Sequence, residues 1–209
     1  MPTTVNPHAV SRERIAEAAL TEIDEKGILG LRVQDVARKA GVSVPLIYKY
    51  YGDRDGLLCE VLGRMFTETA RTQMERAARI LAQAGDNPGP DDVVAALMSD
   101  PDNELRECRS HMVQIIAAAS EIPTLMEYIR AQQIGMFENS VLFLRSIFAD
   151  IGMDESLPVE ALATLLNAAS FGMVMDDLLG DRGVDNAEYT KLVRVVVSAV
   201  MEKHATKRP

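Results

Sequence analysis

Residues 34–51 read Q-D-V-A-R-K-A-G-V-S-V-P-L-I-Y-K-Y-Y, a spacing that suits two short helices crossing at a tight turn. Such a pair needs a small residue at the crossing, glycine where the turn demands positive φ, and apolar side chains that clamp the second helix onto the first. Ala37 is the small residue, Gly41 follows four positions later, and Val36, Ala40, Val42, Ile47 and Tyr50 form the clamp. Ser43 can cap the second helix, because a short hydroxyl accepts from the free N–H groups that open it. Pro45 falls in the first turn, where a missing donor costs nothing. An ordinary helical hairpin with a glycine turn also fits this spacing.

Working outward, Ile15, Ala19 and Ile23 repeat at helical intervals and predict a helix over 11–26, with Ser11 at its start and Gly27 just past its end. Val33, Val36, Ala37 and Ala40 give the two turns before Gly41. Gly52-Asp53 stops the third helix, and Asp53 can cap a long fourth helix over 54–84 whose apolar face is Leu57, Val61, Met65 and Phe66. Residues 85–90, G-D-N-P-G-P, are the densest breaker cluster and mark a loop. Further helices are predicted over 91–98, 104–120, 123–151, 158–179 and 186–204. No segment sustains period-two alternation and no repeat is visible. With 5% aromatics, no Trp and 47% apolar residues, the composition is that of a globular protein and the fold class is all-α.

Amphipathicity assigns the faces of the 44–51 helix. If Leu46, Ile47 and Tyr50 point inward, then Val44, Pro45, Tyr48 and Lys49 face solvent, where the second helix of a helix-turn-helix meets base edges. Val44 and Pro45 can touch thymine methyls, Lys49 can reach guanine acceptors or a phosphate, and Tyr48 can donate to a phosphate. The helix N-terminus, beginning at Ser43, adds backbone N–H groups and partial positive charge.

The order of these signals resembles the TetR-type family of bacterial transcriptional regulators. A first helix is followed by L-R-V-Q-D-V-A-R-K-A-G-V-S and then by Y-K-Y-Y-G-D-R-D-G-L-L, which leads into a long fourth helix. Tyr48, Tyr51, Arg54 and Leu57 occupy the family's aromatic, basic and leucine positions, and the likeness covers about 50 residues. Arg32 stands where the family often has a capping Thr; it cannot cap but can touch a phosphate. Tyr51 replaces the commoner Phe and Arg54 the commoner Lys, so Arg54 is kept as a phosphate anchor. Gln34 is a further phosphate or base-edge candidate. Gly56 costs helix stability at the junction and is a hinge candidate.

The resemblance implies a three-helix DNA-binding domain over 9–55 and a ligand-binding and dimerisation domain over 56–209. A reader of one half-site binds weakly, so a homodimer on a near-palindromic double-stranded DNA operator is expected. The family places the dimer surface in the last two helices. One stripe here is Leu162, Leu165, Leu166, Ala169 and Met173, and the other is Leu192, Val195, Val196, Ala199 and Val200. Purely intramolecular packing of these stripes is the alternative. The family's middle helices enclose a small-molecule effector. The candidates are Met112, Ile115, Ile116 and Met126, together with Ile129, Met136 and Phe137, since Met and Phe line adaptable apolar sites. Repression relieved by an apolar or amphiphilic ligand is the expected mechanism, with the fourth helix as lever. Glu107, Glu121 and Asp176 leave a cationic amphiphile open.

The net charge of −9 argues against a protein that coats nucleic acid by bulk attraction. Residues 1–64 hold nine basic and nine acidic side chains and are formally neutral; the remainder supplies the whole excess. Cys59 and Cys108 match no metal or redox spacing and read as free thiols. Without a secretory signal or a membrane-length apolar run, a soluble cytoplasmic protein is expected. His8, His111 and His204 are dispersed, Asp176-Asp177 reads as a solvated helix end, and neither a phosphate-cradling Gly-rich loop nor a nucleophile elbow occurs. Neither an enzyme nor a cofactor is expected. A helix-turn-helix that binds another protein is the competing class, and salt-dependent affinity for a specific duplex separates the two.

Overall fold

A computed structural model describes residues 7–85, 88–98, 106–179 and 186–205. Its helices are α1 (Pro7–Gly30), α2 (Val33–Ala40), α3 (Val44–Tyr51), α4 (Arg54–Gln83), α5 (Pro90–Leu97), α6 (Arg106–Glu121), α7 (Pro123–Asp150), α8 (Val159–Leu179) and α9 (Asn186–His204). Among the described residues there is no strand, and an antiparallel bridge joins Met153 to Ala205. Helix boundaries after α1 follow the sequence expectation to within a residue or two, the usual fraying range; α1 itself begins at Pro7, four residues earlier than expected, so Ser11 lies inside the helix rather than at its start. The expected start at Glu104 lies outside the described residues, as do the side chains of His8, Glu107, Cys108, Asp176 and Asp177. Cys59 is a half-buried free thiol.

Local chemistry fixes the ends that matter for the amino-terminal helices. α1 loses helical geometry at Gly27, where φ is 73° and ψ 168°, and a last turn carries the chain to Gly30. Gly41 ends α2 at φ 64°, a conformation that L side chains avoid. There the Val42 N–H reaches the Ala37 carbonyl at 3.0 Å, closing an acceptor the helix end leaves open. The Asp53 carboxylate accepts from the Gly56 N–H at 2.7 Å, the cap expected for α4. Ser43 is a correction. It stands at the start of α3 in extended geometry, but its hydroxyl makes no capping bond. Its carbonyl accepts from Leu46 and Ile47 at 3.0 and 3.3 Å, so backbone and Pro45, rather than the hydroxyl, open the helix.

The chain forms two compact units. The first is Met1–Thr67 with Gln114–Arg130; the second is Glu68–Val113 with Ala131–Pro209. This division differs from a cut at residue 55, and burial explains why. Leu57, Leu58, Val61, Leu62 and Phe66 of α4 are at most 1% exposed, and Ile115, Ala119, Ile122, Leu125 and Ile129 are buried too. These side chains and the inner faces of α1–α3 make the first unit's apolar interior. Tyr128 then lies along α4. Its hydroxyl is 3.0 Å from the Thr67 hydroxyl, and a Cβ at Gly63 would stand only 3.0 Å from its ring.

The second unit has its own core, in which Val93, Leu144, Phe148, Leu162, Leu166, Met173, Val197 and Met201 are all buried. Arg76 donates to the Ala95 carbonyl at 2.9 Å, joining the later part of α4 to α5. The Asp154 N–H donates to the His204 carbonyl at 2.8 Å, which ties the α7–α8 turn to the end of α9.

Candidate nucleic-acid interface

α3 is seated by one side chain above all: Ile47 is fully buried, with Leu46 and Tyr50 half-buried beside it. The opposite face carries Pro45, Tyr48 and Lys49, all exposed, with Val44 half-exposed at the first turn. The Ser43 hydroxyl, free of any capping role, is exposed on the same end, and Arg32 and Gln34 are exposed at the start of α2. Seven of the eight sequence candidates are therefore open to solvent or partly so, without a bond that draws them inward. Arg54 behaves differently. It is half-buried, its guanidinium donates to the Ile28 carbonyl at 3.4 Å, and it lies 3.9 Å from the Asp55 carboxylate.

The frame behind this face is polar as well as apolar. The Tyr51 hydroxyl donates to the Arg12 carbonyl at 2.9 Å, and the Arg12 guanidinium lies over its ring at 5.5 Å. Burial pushes the Tyr51 hydroxyl pKa up. The hydroxyl that distinguishes Tyr51 from Phe is thus used to bind α3 to α1, a role its sequence position did not announce. Arg64 of α4 donates to Glu13 at 2.9 Å and to Glu60 at 2.8 Å, joining α4 to α1.

Glu22, only 3% exposed, is the centre of a second tie. Lys26 lies 2.7 Å from its carboxylate and Lys39 3.0 Å, so a residue of α2 neutralises an acid of α1. Lys26 also reaches Asp35 at 3.0 Å, Arg38 pairs with Asp35, and Lys39 reaches Glu25 at 2.7 Å. Lys26, then Lys39, hold the Glu22 carboxyl below its ordinary range, and Lys26 does the same for Asp35. A carboxylate with a lowered folded pKa contributes stability that is present above its unfolded pKa and is lost as pH falls through the folded one. Thermal melts should therefore show the wild type losing stability between about pH 6 and pH 3, with Glu22→Gln less stable at neutrality but flatter across that interval. Parallel curves for the two proteins would remove Glu22 from the account.

The effector candidates are divided between the units. Ile115, Ile116, Met126 and Ile129 belong to the first, and Met112, Met136 and Phe137 to the second. Ile115 and Ile129 are buried, Ile116 is 39% exposed, and Met112, Met126, Met136 and Phe137 are half-buried. Two surface hollows lie elsewhere. One is beside Arg14, Thr21 and Lys39, the other beside Arg145, Met153 and Leu157.

The two carboxy-terminal stripes also resolve into different surroundings. Leu162, Leu166, Ala169 and Met173, expected on an intersubunit surface, are at most 6% exposed because the second unit's own core covers them. Leu165 is 44% exposed, Leu192 62%, Val195 58% and Val196 38%; Ala199 is exposed and Val200 half-buried. Phe171 of α8, unmarked in the sequence reading, is exposed as well. Periodicity reveals an apolar helix but not which of its two apolar faces the chain covers by itself.

Residues 8–61 match the family model for bacterial regulatory proteins of the tetR family. The HTH-type transcriptional regulator BetI of Stenotrophomonas maltophilia is 38% identical over 79 residues, which span 38% of this chain and 38% of that relative. The match thus covers well under two thirds of that relative's length. A solved structure of a TetR-family transcriptional regulator from Mesorhizobium loti superposes with a TM-score of 0.68 at 18% identity, covering 97% of this chain and all of that one. A transcriptional regulator from Saccharomonospora viridis, solved in complex with choline, gives 0.63 at 20% identity, covering 96% of this chain and 100% of that one. At these identities the two structures speak for the fold: an all-α chain with an amino-terminal helix-turn-helix.

Proposed function

We propose, from the premise that this chain belongs through residues 8–61 to the tetR family of bacterial regulatory proteins, that it is a ligand-responsive transcriptional regulator acting in the cytoplasm. It binds a near-palindromic operator as a homodimer and represses until a small apolar or amphiphilic ligand releases it. The observation that carries this reading is α3 itself. Ile47 anchors it, while Pro45, Tyr48 and Lys49 stand outward on one face. A helix so held is rigid enough to fix side chains against base edges, and its first turn is free to enter a major groove.

Dimerisation is assigned to the solvent-facing apolar residues of α8 and α9: Leu165, Leu192, Val195, Val196 and Ala199. Pairing two readers turns weak half-site binding into operator binding. Release follows as a population shift. The ligand must favour the arrangement that misplaces the two reading helices, and a full reversal from 1:99 to 99:1 takes about 5.5 kcal/mol of differential affinity.

The direct test is footprinting of the full-length protein on the intergenic DNA beside its gene, in low and moderate salt. Protection of two half-sites about one helical turn apart is the expected result. Absence of affinity for any specific duplex would leave a helix-turn-helix that binds another protein. A thermal-shift screen of small apolar and cationic amphiphilic compounds, followed by loss of the footprint with each hit, tests the effector half.

A further inference from the structure

We infer that the reader meets DNA with only two uncommitted cations per subunit, Arg32 and Lys49, its other contacts being uncharged, so that operator affinity falls gently with salt. This rests on the DNA-reading function proposed above.

Residues 1–64 carry nine basic side chains, and seven of them are engaged within the chain. Arg12 pairs with Glu60, Lys26 with Glu22 and Asp35, Arg38 with Asp35, Lys39 with Glu22 and Glu25, and Arg64 with Glu13 and Glu60. Arg14 donates to the Ala40 carbonyl at 2.9 Å, and Arg54 is directed to Ile28 and Asp55. Among the described residues of this segment, Arg32 and Lys49 make no such bond and are exposed.

The engaged cations are not a free reserve. Moving Lys39 to a phosphate would take a counter-charge from Glu22, whose carboxylate is 3% exposed, and moving Lys26 would take one from both Glu22 and Asp35. A buried carboxylate stripped of its cation is strongly unfavourable. Each pair also presents its own negative charge to an approaching phosphate.

The side chains of α3 point the same way. Its sequence, V-P-L-I-Y-K-Y-Y, contains no Arg, Asn, Gln, Asp or Glu, so it has none of the side chains that form bidentate or acceptor pairs with guanine, adenine or cytosine, Lys49 excepted. Discrimination at the first turn is left to Val44 and Pro45 against the thymine methyl.

The test uses the full-length protein and a duplex selected from a random library, with affinity read by anisotropy across a salt series. Two phosphate contacts on each of two copies give an expected slope of log K against log salt of about −4. Arg32→Ala and Lys49→Ala should each flatten it by about 2, because each removes a contact from both copies. Arg38→Ala should leave it unchanged. A wild-type slope of about −7 or steeper, meaning that the ion pairs open on DNA, would overturn the inference. Replacing the half-site thymines by uracil deletes a methyl without touching base pairing. A several-fold loss that is smaller in Val44→Ala is expected, and equal affinity for both duplexes overturns the apolar part. If selection returns no preferred sequence, the DNA-reading function itself fails, an outcome distinct from a steep slope on a selected site.

Discussion

Replacing Val195 by Glu is expected to split the proposed homodimer, halving the mass of the protein in solution, and to lower operator affinity by roughly a hundredfold or more, the range by which linked sites exceed single ones. Val195 is 58% exposed and Leu192, one turn before it on α9, is 62% exposed. In a single chain, a charge at so open a position changes folding free energy by no more than about 0.5 kcal/mol. In a dimer whose core is built on this stripe, the same carboxylate would be buried without a partner, which the interface cannot tolerate. The effect on association should therefore far exceed the effect on secondary structure. Sedimentation and far-UV circular dichroism separate the two. Leu166→Ala is the useful contrast, because Leu166 is fully buried in the second unit's core. It should cost about 2–5 kcal/mol of stability through the cavity it leaves, without selectively weakening the dimer. An unchanged mass for Val195→Glu would reassign the exposed stripe.

How far the sequence could be read depended on the range of the interaction involved. α2, α3 and the start of α4 were legible because their signals are local. Gly41 takes the left-handed turn, Ile47 is sealed inward four residues after Ser43, and Asp53 caps the N–H three residues on. Ser43 looked like a cap for the same local reason, but its carbonyl and Pro45 suffice and its hydroxyl stays outside. What failed to show was anything set by distant chain. Arg54 kept its charge but found the Ile28 carbonyl, 26 residues back. Residues 114–130 join the first unit, with Tyr128 bonded to Thr67 across 61 positions, a pairing that no local spacing in either stretch announces. On α8, Leu165 and Leu166 are adjacent, equally apolar letters. One is 44% exposed and the other fully buried, a difference that only the partner helices decide.

Gly56→Ala is expected to destabilise the protein, reversing the sign that helix propensity alone assigns. Inside a helix, Ala is normally about 1 kcal/mol better than Gly. Read that way, Gly56 is a weak point or a hinge three residues into α4. Its surroundings indicate a different cause. A Cβ at this position would overlap the Tyr51 carbonyl oxygen and come within 3.1 Å of the carbon that bears it. Both atoms are backbone, so no rotamer change can clear the space; the α3–α4 corner must move. Overpacking of this kind costs about 1–3 kcal/mol and can exceed that, enough to outweigh the propensity gain. The corner also contains the bond from the Gly56 N–H to the Asp53 carboxylate at 2.7 Å, which the shift would loosen. Tyr51 is the last residue of α3, so the displaced backbone is the end of the proposed reading helix. Two results should coincide: a lower melting temperature, and weaker specific duplex binding even at temperatures where the variant is fully folded. Gly63→Ala supplies the comparison. Its Cβ would meet the Tyr128 ring, at 3.0 Å, rather than backbone. A ring 38% exposed can turn aside, so that variant should lose less stability and retain duplex affinity. A higher melting temperature for Gly56→Ala would return the residue to the role of an ordinary helix-weakening glycine and leave the α3–α4 corner without its close approach.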